Sequence, residues 1–257
     1  MRLIFHHPYF LPWLGYFSKL EYADALVILD NVVVRHDGLN HIKRTRLLDT
    51  NDALYWFGVP IPRNFGALCC DINLRIDHGY LSNLCKTLQQ SYKKARSFRE
   101  EYPFIENILT NELKKHQTLV DADVALFKCL RSHCGLAEKP ILYSSSFPEV
   151  TDRTDRIISI SKQLKATEIL IGDGKMEKVH DIPGIKSAGI KVFIQKFSQN
   201  HPRYEQMHVG HSVRHKQGIF WEECISFKPG LSIVDALLNV GHHEIYSLLH
   251  AVQPIQI

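Results

Sequence analysis

Between residues 6 and 17 the chain reads His-His-Pro-Tyr-Phe-Leu-Pro-Trp-Leu-Gly-Tyr-Phe. A turn stiffened by two prolines and crowded with aromatic rings suits a ring-bearing ligand such as a sugar or a nucleotide base. Tyr9 and Trp13 are the candidate ring contacts, and the same aromatics also serve to pack a helix onto a sheet. His7 supplies an imidazole that can move a proton near neutral pH. A second chemical stretch begins at Asp30, a candidate general base, and ends in Lys43, Arg44 and Arg46. These three cations suit phosphate or carboxylate groups, the arginines bidentately. Lys93 near a helix end is a further anchor candidate or a complement to the helix dipole. Gly172-Asp173-Gly174 follows an apolar run and reads as a turn a ligand can approach closely; it lacks the third glycine of a dinucleotide fingerprint. Ser144 and Ser145 offer further donors for a developing oxyanion. Finally, His208, His211 and His215 share one face if their segment is helical, a spacing able to hold zinc. Gly210 and Gly218 argue against that helix, so metal is not the favoured reading.

These residues must be positioned by elements, and the elements read as α/β. Arg2 to His6 is a short buried strand, Leu14 to Tyr22 has helical spacing, and Ala25 to Asp30 is a second apolar run: a βαβ unit with a parallel pair and a right-handed crossover. The loops at the strand ends, 6–12 and 30–45, then face one crevice, where open α/β sheets bind ligands. Tyr55–Ile61 and Asp71–Ile76 read as strands. A helical block follows at 80–96, 98–115 and 118–134, with breaks at Pro103 and His116. A second strand–helix–strand unit occupies roughly 140–195, its helix capped by Thr151 or Thr154. Pro229 opens a terminal helix pair. The expected fold is a mixed, mainly parallel Rossmann-like sheet with an inserted helical block and a C-terminal helical segment. It divides into an N-terminal unit, 1–136, and a second unit, 137–257, or packs as one compact domain.

Composition narrows the function. The 257 residues are 45% hydrophobic and 23% charged, which excludes disordered and fibrous classes. A net charge of +4 gives no support to nucleic-acid binding. The start lacks a signal-peptide core, and no apolar run is long enough to span a bilayer, so a cytoplasmic protein without membrane insertion is expected. Six cysteines without a C-x-x-C pair read as reduced thiols. Fifteen histidines are the compositional oddity.

Several motifs together resemble one family. His7-Pro-x-Phe-Leu-Pro-Trp-x-Gly-Tyr-Phe17, Ala23-Asp24 and Leu29-Asp30-x-Val32 look like the start of the WbqC-like proteins. The likeness continues through His41-Ile-Lys-Arg-Thr-Arg46, Trp56-x-x-Val59-Pro60, Tyr92-Lys-Lys-Ala95 and Thr167-x-Ile-Leu-Ile-x-Asp-Gly174. It ends with Tyr204-x-Gln206 and Leu231-Ser-Ile-Val-Asp235. Where that family usually has Gln, Trp and two Asn, this chain has His7, His41, Lys43 and Thr45, and the stretch between Gln206 and Phe227 looks inserted. The departures point to a more anionic ligand.

The resemblance implies bacterial surface-polysaccharide biosynthesis. The leading expectation is acyl or aminoacyl transfer to an amino sugar carried on a nucleotide, with acyl-CoA or ATP as the activating partner. In that reading His7 or Asp30 is the base. Arg44, Arg46 and Lys93 anchor the diphosphate, and Tyr204 and Gln206 join the substrate-binding set. A strand followed by a His-containing loop, a glycine and a helix also opens nucleotidyltransferase-type folds. An adenylate-forming enzyme, with His6 and His7 at the phosphoryl group, is therefore the alternative, although the second motif histidine at the helix start is absent. A non-catalytic nucleotide-sugar-binding protein is the third reading. A homo-oligomer is compatible with all of them.

Overall fold

The computed structural model describes residues 1–33, 40–61, 66–174, 179–206, 212–215, 218–221 and 227–257. Its centre is β1 (Arg2–His6), whose Leu3-Ile4-Phe5 run is buried on both faces, as a parallel strand covered by helices requires. β1 pairs in parallel with β2 (Ala25–Ile28) on one side and β6 (Glu168–Gly172) on the other. β5 (Ile141–Tyr143) extends the β2 side, and β7 (Lys191–Gln195) extends the β6 side, both in parallel. β10 (Ile255–Gln256) closes the β7 edge antiparallel, giving six strands in the order β10-β7-β6-β1-β2-β5. The chain therefore builds outward from β1 through β2 and β5, then returns to the other side of β1 for β6 and β7. That reversal is the topological switch point of a doubly wound sheet.

Crossover helices cover both faces. On one lie α1 (Leu14–Glu21), the block α2 (His78–Tyr92), α3 (Phe98–Lys115) and α4 (Leu119–His133), and the pair α7 (Ile233–Val240) and α8 (His242–His250). On the other lie α5 (Arg153–Gln163) and α6 (Ile182–Ser187), packing Ile157, Ile160 and Ile185 against Leu3, Phe5, Val27 and Ile171. Strands from both halves of the chain share the one sheet.

Local chemistry sets the boundaries. Asp77 caps α2 through Tyr80 N at 2.7 Å, and Thr118 caps α4 through Asp121 N at 3.1 Å. The α5 cap is Asp152, which accepts from Thr154 N and Asp155 N, rather than either threonine expected from sequence. Pro103 lies inside α3 instead of breaking it; so near the helix start, it removes only an early rung of the hydrogen-bond ladder.

Two strand expectations also change. Asp71–Ile76 contributes no ladder strand: it follows a 3₁₀ turn, Cys69–Asp71, and docks by single bonds onto the start of α4, Leu74 N to Gln117 O and Leu119 N to Ile72 O. Conversely, the basic stretch expected on a loop is largely strand. β3 (Arg44–Leu48) pairs antiparallel with β4 (Leu54–Gly58), so Thr45 and Leu47 turn inward while Arg44 and Arg46 share the other face. A second hairpin joins β8 (Ser212–His215) and β9 (Gly218–Trp221). His215 therefore ends a strand, and the helical spacing does not hold there. His208 and His211 lie outside the described residues.

Candidate functional site

The carboxyl end of β1 delivers two adjacent histidines to opposite faces of the sheet, because strand side chains alternate. His6 turns toward α1. Its ring centroid is 4.2 Å from that of Tyr16, and Nδ1 lies 3.2 Å from the His7 carbonyl oxygen. Burial, with the Lys19 charge beside it, holds His6 well below the usual histidine range, so the ring is neutral at pH 7.

Every residue of α1 from Leu14 to Leu20 is buried, Lys19 included. Lys19 Nζ points at the turn after β6: a Cβ built on Gly172 would sit 3.7 Å from it. Burial brings this amine down to about 8, against the nearby Asp173 carboxylate, which pulls it up. No hydrogen bond or ion pair holds Lys19 Nζ among the described residues. The Asp173 carboxylate is occupied by the Ser198 and Gln199 amides, at 3.2 and 2.9 Å, which tie the loops after β6 and β7 together.

His6, Lys19, Gly172–Gly174 and Gln195 border a cleft of about 160 Å³, with Trp13 and Phe197 as its aromatic wall. It opens where strand order reverses, the position at which doubly wound sheets bind ligands. Its size suits one end of a ligand rather than the whole of a drug-sized molecule. A larger depression of about 360 Å³ near Lys186 and Ile257 lies at the amino end of β7, away from these groups.

Aromatic and cationic groups extend from the cleft in two directions. Trp13 stacks on His201 with centroids 6.1 Å apart and meets Phe197 edge-on at 5.6 Å. Gly15 makes that placement possible, since a Cβ there would come within 2.4 Å of the Trp13 ring. On the other side Tyr9 stacks on His41 at 4.7 Å, His41 meets Trp56 at 5.3 Å, and the Arg44 guanidinium lies 4.2 Å over the Trp56 ring. Burial and the Arg46 and Arg44 charges bring His41 down to about 4. Arg46 donates through Nη2 to the Gly230 carbonyl at 3.2 Å. The Nε atoms of both arginines are buried without a partner.

The remaining sequence candidates fall into three groups. His7 faces α5; its Nδ1 is buried without a well-formed hydrogen bond, and burial lowers its pKa, helped by the Arg153, Arg156 and His180 charges and opposed by the Leu29 backbone. Asp30, Ser144 and Ser145 form one closed unit: the carboxylate accepts from Ser144 Oγ at 3.0 Å, Ser145 N at 2.9 Å and Ser145 Oγ at 2.6 Å. Tyr204 and Gln206 converge on buried Asp235, which accepts from Tyr204 OH at 2.6 Å, Tyr92 OH at 2.7 Å and Gln206 Nε2 at 3.3 Å. Lys93 is exposed beyond the last turn of α2, and neither it nor Lys43 lines the cleft.

Sequence reasoning passed over Lys19, Gln195 and Phe197. The available signal was a lysine set among Leu14, Tyr16, Phe17 and Leu20 in a short, mainly apolar helix.

Comparison with known proteins gives a consistent picture. The family description "WbqC-like protein family" matches residues 7–247. An uncharacterized protein of Mycobacterium tuberculosis, Rv1507c, is 25% identical over 241 residues, covering 90% of each chain. No solved structure matches.

Proposed function

This chain belongs to the WbqC-like protein family, and we propose that it transfers an acyl or aminoacyl group to the amine of a sugar carried on a nucleotide, as a step in surface-polysaccharide assembly. The carrying observation is the Lys19 amine, on a buried side chain and without a hydrogen bond or ion pair among the described residues, facing the Gly172–Gly174 turn at the switch point. An ammonium without a partner is costly in a protein interior, and an anionic ligand group supplies the missing charge.

In this reading the diphosphate enters the cleft against Lys19, with Arg44 and Arg46 along the flanking hairpin. Trp13 and Tyr9 offer ring faces to the base or the sugar. Amide formation requires the sugar amine to attack the acyl carbonyl carbon and lose a proton, while the thiolate or phosphate of the donor departs. His6 is the favoured proton acceptor, being neutral and in the cleft, and His7 stands at the same strand end. The Asp30–Ser144–Ser145 unit and the Asp235 cluster position the surrounding loops. Acyl-CoA is the donor class this scheme takes.

The strand order and His6 at the end of β1 support a second reading, in which ATP activates a carboxylic acid as its adenylate. Thermal-shift measurements across nucleotide sugars, acyl-CoA thioesters and ATP, followed by mass spectrometry of the reaction mixture, separate the two. Thioester-dependent amide formation without ATP supports transfer. ATP-dependent pyrophosphate release on adding a carboxylic acid supports the adenylate route. Absence of a shift with every nucleotide-bearing ligand sinks both.

A further inference from the structure

The Glu101 carboxylate on α3 is fully buried, and no lysine or arginine pairs with it among the described residues. Its partners are two imidazoles. His133 Nε2, at the end of α4, is 2.6 Å from Oε2, and His242 Nδ1, at the start of α8, is 2.7 Å from Oε1. The His242 backbone amide also donates to Oε1, at 2.8 Å. Glu100 Oε1 lies 3.8 Å from the same His242 Nδ1. One potential ligand atom from each of Glu101, His133 and His242 lies within 4.8 Å of the others. The two imidazole side chains keep 21% and 23% of their surface exposed.

We propose that Glu101, His133 and His242 form a binding site for a divalent transition-metal ion, zinc the best matched, with Glu100, whose Oε1 lies 3.8 Å from His242 Nδ1, as the fourth ligand. Imidazole nitrogens and carboxylate oxygens are the donor set zinc takes when no thiolate is present. The two carboxylates of Glu100 and Glu101 balance the charge of a dication. The supporting groups are in place: His133 lies flat on Phe104, with centroids 3.7 Å apart and planes 6° apart, and the His242 amide fixes one oxygen of Glu101. The contacts of 2.6 and 2.7 Å must open by about 0.6–1.0 Å, because ligand atoms on a tetrahedral ion bound at about 2.0–2.2 Å stand roughly 3.3–3.6 Å apart. The ligands come from three helices, and none of them lines the switch-point cleft, so the ion clasps α3, α4 and α8 together.

The test uses the full chain without a histidine tag, stripped with EDTA and titrated with Co²⁺ and then Zn²⁺. One equivalent of Co²⁺ with the intense visible absorption of low-symmetry four-coordination, displaced by Zn²⁺, is expected. His133→Ala and His242→Ala should each weaken Zn²⁺ binding at least about 100-fold, and Glu100→Gln about 10-fold. Failure to take up a stoichiometric ion overturns the proposal. So does uptake undiminished in both histidine variants, which would place the ion elsewhere, as in the His208–His215 segment. If the histidine variants do not fold, Glu100→Gln decides, because its side chain is 59% exposed: about 10-fold weaker binding supports the site, and unchanged affinity overturns it.

Discussion

Replacing Lys19 by methionine should make the protein more stable and poorer at binding a diphosphate. The ammonium is buried at the foot of the cleft, and its pKa falls from the ordinary 10.5 to about 8. At 1.36 kcal/mol per pH unit, that corresponds to a penalty of roughly 3 kcal/mol on the charged form. The sign follows from proton counts. Between about pH 8 and 10.5 the unfolded chain still holds the proton that the folded chain has released, so stability rises with pH across that window. Below pH 8 the whole penalty is present. Methionine has similar length and no charge, so Lys19→Met should gain up to about 3 kcal/mol at pH 7 and lose the rise toward alkaline pH. Urea unfolding of both proteins at pH 7.0 and 9.5 reads the stability. Calorimetric titration with pyrophosphate, and then with nucleotide sugars, reads the binding. A methionine variant that is less stable at pH 7, or that keeps the wild-type affinity for pyrophosphate, would refute the reading of Lys19 as a ligand-facing charge.

Burial raises the Asp235 carboxyl to about 6 against the Tyr204, Tyr92 and Gln206 donors, so its contribution to stability is full below about pH 4 and lost as pH rises to 6. Across that range, wild-type melting temperature should fall relative to Asp235→Asn by the equivalent of roughly 3 kcal/mol; parallel curves would contradict this. Gly15→Ala drives a methyl group into the Trp13 ring and should cost about 1–3 kcal/mol in thermal denaturation, with a change in tryptophan fluorescence as the ring leaves the cleft wall. Burial pushes Cys69 and Cys134 up to about 12 and raises Cys70, Cys85 and Cys129. Iodoacetamide at pH 7.5 should therefore label these five far more slowly in native protein than in urea, mapped by mass spectrometry; fast native labelling of Cys69 or Cys134 would count against the buried placement.

What sequence makes legible is local. Arg2–His6, Leu14–Glu21 and Ala25–Ile28 read as strand, helix and strand because their apolar spacing changes period cleanly at each boundary. The crevice after β1 follows from that unit alone. Its other wall does not: Gly172 meets Lys19 only because β6 inserts beside β1, a pairing between residues far apart in the chain. Charge misled the reading of β3, where Arg44 and Arg46 look like loop residues, although the alternation with buried Thr45 and Leu47 is that of a strand. Alternation misled in the opposite direction at Asp71–Ile76, whose backbone makes one isolated bridge, Asn73 to Thr118 at the start of α4, rather than pairing with a strand. Tyr92, Tyr204, Gln206 and Asp235 stood out as separate motif positions, and only the fold shows that they meet around one carboxylate. His133 and His242 carried no spacing signal at all, since their common partner, Glu101, sits on a third helix.

Gln195 gives the cleft a reach beyond its own walls. The side chain is fully buried, and its Nε2 donates to Ser18 Oγ on α1 and to the Val252 carbonyl, both at 2.8 Å. Ser18 Oγ donates onward to the Leu249 carbonyl. Gln195 Oε1 is buried and unpartnered. One amide thus joins the switch-point cleft to the segment that leads from α8 into the edge strand β10. Fraying of that edge therefore breaks a hydrogen bond made by a residue of the cleft wall, so the stability of the edge and the position of Gln195 are linked.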